Sequence, residues 1–337
     1  MPSAPPVGVV IANHNNEAYI ERAIESAANQ SVRDLCIVVV DDASTDGSDE
    51  AIRRCLSRLG DGRIRHLKLE NNVGQGGAVR RGMAMLDAPF VSFLDADDVW
   101  YESFVARHLA AHLNADFPVA LTYCDSHIVD GHDRLLAGTA WFFDSVDLLD
   151  RTPRRIEVER VPVVDGATGR VSYPPQPAIT LYPHWSPARS TNTTSGMMFR
   201  RSFVDLVMRL PDEDLRLYVD FYLSTFACLL TGSAAIHEAL YGYRMHGNNR
   251  HSDASVPGGA YNSSSRPWGP IRDTTLAMIQ KVLRSEGEEI RRIFGEDRHE
   301  LALMLVAEVL GQTAAESVAV TRRWTMPALL SRLRSRM

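Results

Sequence analysis

The chain has 337 residues, long enough for one large domain with an appendage or for two domains. Its 45% hydrophobic and 23% charged residues exclude a disordered or fibrous architecture. A net charge of -6 argues against a general nucleic-acid binder, which carries a basic surface. Cys36, Cys55, Cys124 and Cys228 form no CxxC pair and read as buried thiols in a reducing compartment, not as a zinc site or disulfide framework.

In chain order, the apolar β-branched run Val7 to Ala12 predicts a strand. Glu17 to Asn29 has helical spacing, with Ile20, Ala23, Ile24 and Ala27 on one face. Leu35 to Val40 is almost continuously apolar, as expected of a strand covered on both faces of a parallel sheet. Asp49 to Leu59 predicts a helix, Ile64 to Leu69 a strand, Gly76 to Leu86 a helix and Phe90 to Leu94 a fourth strand. This alternation predicts a doubly wound parallel sheet with right-handed crossovers over residues 1 to about 100.

Trp100 to Leu113 then reads as a helix and Val119 to Tyr123 as a strand, followed by a proline-rich irregular insertion over 140–195. Helical spacing returns over Leu215 to Leu230, and Ser233 to Tyr243 predicts another strand. Pro257 to Pro270 has linker composition, and Ile271 to Met337 reads as a helical appendage. The tail sets Arg322, Arg323, Arg332, Arg334 and Arg336 among Trp324, Leu329, Leu330 and Leu333. Such an end is suited either to solvent or to peripheral contact with an anionic membrane. The sequence lacks a leader and any apolar stretch near the roughly 18 residues of a membrane span, so the expected location is cytoplasmic, with the tail allowing an inner-membrane contact.

Polar clusters follow three of the strands: His14-Asn15-Asn16, then Asp41 to Ser48, then Asp95-Ala96-Asp97-Asp98. Ligands of open α/β sheets bind at such carboxyl ends, so clusters distant in sequence are expected to meet there. Three carboxylates within four residues repel one another. They form either a solvated acidic turn or a site for a hard divalent cation such as Mg²⁺ or Mn²⁺. A GxGxxG turn is absent after the first strand, which argues against a nicotinamide site. His108 and His112, four apart, lack the glutamate of a zinc-protease motif and read as a helix face.

Four segments, in this order and spacing, resemble the GT-A-fold glycosyltransferases of family 2 over roughly residues 7–250. They are Val9 to Asn15, Val39 to Gly47, Asn71-Asn72-Val73-Gly74 and Phe93 to Asp98. The fold expectation is α/β: a GT-A, Rossmann-like, mostly parallel central sheet with flanking helices, plus the C-terminal helical appendage. Residues 1–125 would be the nucleotide-sugar half, 126–256 the acceptor half, and 257–337 the linker and helical region. The resemblance implies transfer from a UDP- or dTDP-type sugar to a hydroxyl of a saccharide, lipid-linked or other acceptor. It further implies inversion and dependence on Mn²⁺ or Mg²⁺.

It also implies roles for individual residues. Asp97 would bind the metal and Asp95 the ribose or sugar hydroxyls, while Asp98 reads as the N-cap of the helix expected near Val99. Asp41 or Asp42 would accept a hydrogen bond from the base. His14, beside Asn15, stands where relatives have an aromatic residue that packs on the base. Ser44 or Asp46 would cap the following helix. Asn72, Gly74 and the helix start after them suit an anion, with Arg80 chosen over Arg81 to face the diphosphate. Gly196 would allow close approach to the sugar, His246 would touch the diphosphate or metal, and Asp220 would be the base, with Glu213 and Asp214 competing. Trp141, Phe142 and Trp185 offer either sugar or lipid surfaces or a small core. Two other readings are a sugar-1-phosphate nucleotidylyltransferase, which would need a glycine-rich basic loop after the first strand, and a non-catalytic nucleotide-sugar-binding protein.

Overall fold

A computed structural model describes residues 6–115, 118–138, 154–156, 163–164, 171–172, 178–186, 191, 193–211, 216, 218–246, 249 and 268–312. The first part alternates as expected: β1 (Val7–Asn13), α1 (Ile20–Ala28), β2 (Leu35–Asp41), α2 (Ser48–Leu59), β3 (Ile64–Lys68), α3 (Gly74–Met83) and β4 (Phe90–Asp95). Then come β5 (Val99–Trp100), α4 (Phe104–Asn114), β6 (Leu121–Asp130), β7 (Leu135–Ala137), β8 (Arg154–Ile156), β9 (Val163–Val164), β10 (Val171–Ser172) and β11 (Ile179–Tyr182). A 3-10 turn at Thr194–Gly196 leads into β12 (Met197–Arg200), α5 (Arg201–Val207), α6 (Val219–Leu230), β13 (Ser233–Met245), α7 (Trp268–Ser285), α8 (Gly287–Phe294) and α9 (Glu296–Val309).

The main sheet runs β3-β2-β1-β4-β12-β6-β13-β11-β8, with β5 on β13 and β7 on β6. The strands β3, β2, β1, β4, β6 and β13 run in one direction, and β12 is inserted antiparallel between β4 and β6. Alternation along the strands divides the core. Val9, Ile11, Ile37 and Val39 pack with α1, α2 and α4 on one face; Val10, Val38 and Val40 pack with α3, α5 and α6 on the other. A Cβ added at Gly82 would lie 2.5 Å from Val10 Cγ1, so α3 rests on β1 closer than any side chain there would permit. Leu276, Ile290 and Leu303 of the C-terminal helices join Tyr222 and Phe226 of α6 in one cluster. The appendage therefore braces the helix whose first turn holds Asp220.

Several expectations need correction. Asp98 caps no helix: it is followed by the short strand β5, α4 begins only at Phe104, and Arg244 N–H donates to Asp98 Oδ1 at 2.9 Å. Edge pairing to β13 claimed Val99 and Trp100 before a helix could start. The 140–195 insertion is not wholly irregular, because β11 pairs with β13 inside the main sheet. Trp268 to Pro270, expected as linker, already belong to α7. The expectation for His108 and His112 holds: they share a face of α4, the buried one turned to the sheet. Glu213, Asp214, Trp141, Phe142, the linker over 257–267 and the basic tail lie outside the described residues.

Candidate active site

Register explains how the clusters meet. Asn13 pairs with Asp41 and Ala12 with Asp95, so the loops after β1, β2 and β4 leave the sheet at one level. The first two loops are laced together by side chains. Asn13 Nδ2 donates to Asp41 Oδ1 and Ser44 Oγ at 3.1 Å each; Asn15, at φ 58, accepts from Thr45 N–H at 2.8 Å and takes Ser44 Oγ on its own N–H at 3.0 Å. Asp46, not Ser44, serves the start of α2, accepting from Ser48 N–H at 3.0 Å. His14 Nδ1 lies 2.8 Å from the Asp42 carbonyl oxygen, so Nδ1 carries the proton and donates. Nε2 then accepts from Asn15 Nδ2 at 3.3 Å, leaving the ring its face for a ligand.

The two aspartates after β2 differ sharply. Asp42 accepts from Val73 N–H at 2.7 Å and Gly74 N–H at 2.9 Å, tying both oxygens to the start of α3. That anchors the loop to the start of α3. Asp41 is fully buried, and among the described residues its Oδ2 has no hydrogen-bond partner, nor does Asn13 Oδ1. A buried acceptor without a donor is costly.

Arg80 does not take the place expected of it. Its guanidinium donates to the Leu210 carbonyl oxygen, beyond α5. Arg216 occupies the loop instead: Nη2 donates to Asn72 Oδ1 at 2.6 Å, Nη1 approaches the Asn72 carbonyl at 3.3 Å, and the Arg216 carbonyl accepts from Gln75 N–H at 2.8 Å. Gly74, at φ 80, permits this approach, since a Cβ there would meet the Arg216 carbonyl at 2.7 Å.

Gln75, which sequence reasoning passed over, reaches the centre. Its Nε2 donates to Asp95 Oδ1 at 2.9 Å and lies 3.4 Å from Thr194 Oγ1. Asp95 N–H donates to Ser195 Oγ at 3.1 Å, and Gly196 follows in the buried 3-10 turn beside it. Burial, then the charges of Asp97 and Asp220, push the Asp95 carboxyl up to about 7. Asp220 stands in the first turn of α6. Burial raises the Asp220 carboxyl too, against the opposing hydrogen bond from Phe221 N–H. His246 Nε2 stands 3.1 Å from Asp97 Oδ2, beneath the ring of Tyr19 at a centroid distance of 4.7 Å. Tyr19, Gln75, Ser195, Arg216 and Arg244 were missed by sequence reasoning. The signals for two of them were the lone polar residue among Gly74, Gly76 and Gly77, and the Arg of the Tyr243-Arg244-Met245-His246 segment.

Carboxylates and loop amides gathered at the carboxyl ends of parallel strands, with a further acid on a helix start, define a glycosyltransferase-type α/β site. The chain matches the model of Glycosyl transferase family 2 over residues 8–205 and belongs to that family. It is 28% identical over 249 residues to an uncharacterized glycosyltransferase of Nostoc sp. (strain PCC 7120), covering 74% of this chain and 67% of that one. With the Escherichia coli UDP-Glc:alpha-D-GlcNAc-diphosphoundecaprenol beta-1,3-glucosyltransferase WfaP it shares 29% identity over 124 residues, 36% of this chain and 46% of WfaP. Among solved structures, Staphylococcus aureus TarS 1-349 in complex with UDP-GlcNAc superposes with a TM-score of 0.48 at 15% identity, covering 90% of this chain and 81% of TarS. Among the described residues, no helix is long and apolar enough to cross a membrane.

Proposed function

We propose that the chain transfers a sugar from a UDP- or dTDP-type nucleotide sugar to an acceptor hydroxyl, by single displacement with inversion. What supports this reading is membership of Glycosyl transferase family 2 together with the placing of Asp95 at the end of β4, Asp97 in the loop after it and Asp220 in the first turn of α6. Asp220, a base strengthened by burial, takes the acceptor proton as the hydroxyl oxygen attacks the anomeric carbon, and the bond to the diphosphate oxygen breaks on the opposite side. Asp95, held by Gln75 and Ser195, orients sugar or ribose hydroxyls. The His14 face packs on the base, whose imide N–H suits the open acceptor of Asp41. Arg216 and the start of α3 receive the diphosphate.

The residues present fit Mn²⁺ or Mg²⁺. Asp97 and His246 supply a carboxylate oxygen and an imidazole nitrogen 3.1 Å apart, and the Asp97 side chain is 25% exposed. Among the described residues, no three His, Cys, Asp or Glu side chains enclose an ion. Two protein ligands are few for such an ion, whose shell would be completed by water and substrate phosphate. When bound, the ion would neutralise charge growing on the departing diphosphate. Residues 1–125 would serve the donor and 126–256 the acceptor; the likeness to WfaP, named for a diphosphoundecaprenol-linked substrate, supports a lipid-linked hydroxyl as acceptor.

The test is release of nucleoside diphosphate from a panel of UDP-, dTDP- and GDP-sugars with Mn²⁺. Turnover with UDP or dTDP donors that Asp97→Asn abolishes supports the reading. Turnover unchanged in Asp97→Asn removes the metal assignment, and activity confined to GDP-sugars removes the donor class.

A further inference from the structure

We propose that Arg244 is the positioning residue that aims Asp97 and His246 at the cation; this inference rests on the metal reading above. Arg244 is only 1% exposed, the bulkiest of the fully buried side chains. Burying a guanidinium is unfavourable unless its charge is paired and its donors are used; here Nε and Nη1 donate to one loop and one turn, while Nη2 lies against a carboxylate without hydrogen-bonding to it. Nε donates to the Asp97 carbonyl oxygen at 2.6 Å, Nη1 to the Asp130 carbonyl oxygen at 3.0 Å, and Nη2 forms an ion pair with Asp133 Oδ1 at 2.5 Å. Tyr19 covers the guanidinium, with Cζ 5.1 Å from its ring centroid. The Arg244 main chain adds a second hold, its N–H on Asp98 Oδ1 at 2.9 Å.

Geometry converts these bonds into aim. With its carbonyl drawn to Arg244 and the next carboxylate pinned to the Arg244 amide, Asp97 has its backbone fixed on two sides. Its side chain is thereby presented to His246. His246 lies two residues beyond Arg244, and its N–H is held by Asn249 Oδ1 at 2.8 Å while Asn249 Nδ2 donates to the Arg244 carbonyl at 2.6 Å. Both would-be ligands are thus referenced to one residue. The clamp extends outward, because Asp133 also pairs with Arg22 of α1 at 2.6 Å, joining α1, the β6–β7 turn and the carboxylate loop. Lysine keeps the charge at this position but cannot reach three acceptors in a planar fork.

Mn²⁺ binding by the full chain, followed by electron paramagnetic resonance without donor or acceptor, reads the inference apart from activity. Arg244→Lys is expected to bind Mn²⁺ 10-fold to 100-fold more weakly, the usual range for losing a group that orients a metal ligand. Asp133→Asn, which frees the guanidinium from its rim anchor, should weaken binding several-fold, and its melting temperature should fall as well because the buried cation loses its counter-charge. Guanidinium chloride at low millimolar concentration should restore affinity to Arg244→Ala, which a merely destabilised fold would not show. Should wild type fail to bind Mn²⁺, the metal reading falls and takes this inference with it. Should wild type bind while Asp133→Asn and every folded Arg244 variant bind equally well, Arg244 has no positioning role and only this inference is overturned.

Discussion

His108 and His112 make acid stability a quantitative test of the packing. Both are buried: His108 Nδ1 lies 2.7 Å from Thr122 Oγ1, and His112 Nε2 donates to the Met198 carbonyl oxygen at 3.2 Å. Burial, then the Arg200 cation, hold the His112 imidazole down at about 3. Burial, then His112, hold His108 well below the ordinary histidine range. Both therefore stay neutral in the fold while the unfolded chain titrates near 6.5, so the unfolded state binds more protons and stability decreases as the pH is lowered. The contribution is fully present above 6.5 and is lost as pH falls toward about 3. At pH 5 the unfolded state gains about 2 kcal/mol per histidine, or ~4 kcal/mol for the pair, a large part of the ~5–15 kcal/mol that holds a typical domain. Urea unfolding at pH 8 and pH 5 measures it, with a His108→Asn/His112→Gln double variant as reference. His66 and His299, also lowered chiefly by burial, shift both proteins alike. A double variant that loses as much stability as wild type between the two pH values would refute the reasoning.

Three further outcomes follow from particular contacts. Asp220→Asn should lower kcat by roughly 10²–10⁴ with donor affinity unchanged. In wild type, activity should fall with acid at a pH above the ordinary aspartate range, because burial raises this carboxyl; pH–rate profiles and calorimetry check both. Gln75→Leu, which strips Asp95 of its amide donor, should weaken donor binding about tenfold by calorimetry. Gly82→Val would press against Val10 and Val40, where even a Cβ lies at 2.5 and 3.1 Å, and should cost ~1–3 kcal/mol in urea unfolding.

Local pattern made the first hundred residues legible. The strands β1 to β4 and helices α1 to α3 are written in β-branched runs and 3.6-residue spacing, signals that survive without knowledge of neighbours. β12 was invisible because four residues entering antiparallel between β4 and β6 carry no periodicity of their own. β5 was hidden for a related reason: two residues became strand only because β13 offered an edge.

At the site, the sequence by itself determined which chemistry was available: carboxylates after β2 and β4, an acid ahead of an apolar helix, and a histidine after the last long strand. Tertiary structure decided what each group is free to do. Asp42 was tied to the amides of Val73 and Gly74, Arg80 was drawn to Leu210, and Asp98 was claimed by Arg244, while Gln75 came to Asp95 and Arg216 to Asn72. The physical reason is that a polar group in a buried loop bonds to whatever donor or acceptor the fold brings within about 3 Å, and those partners come from distant parts of the chain. Residue type and spacing announced the reagents, but only the paired strands and the turn beneath Arg244 set their aim.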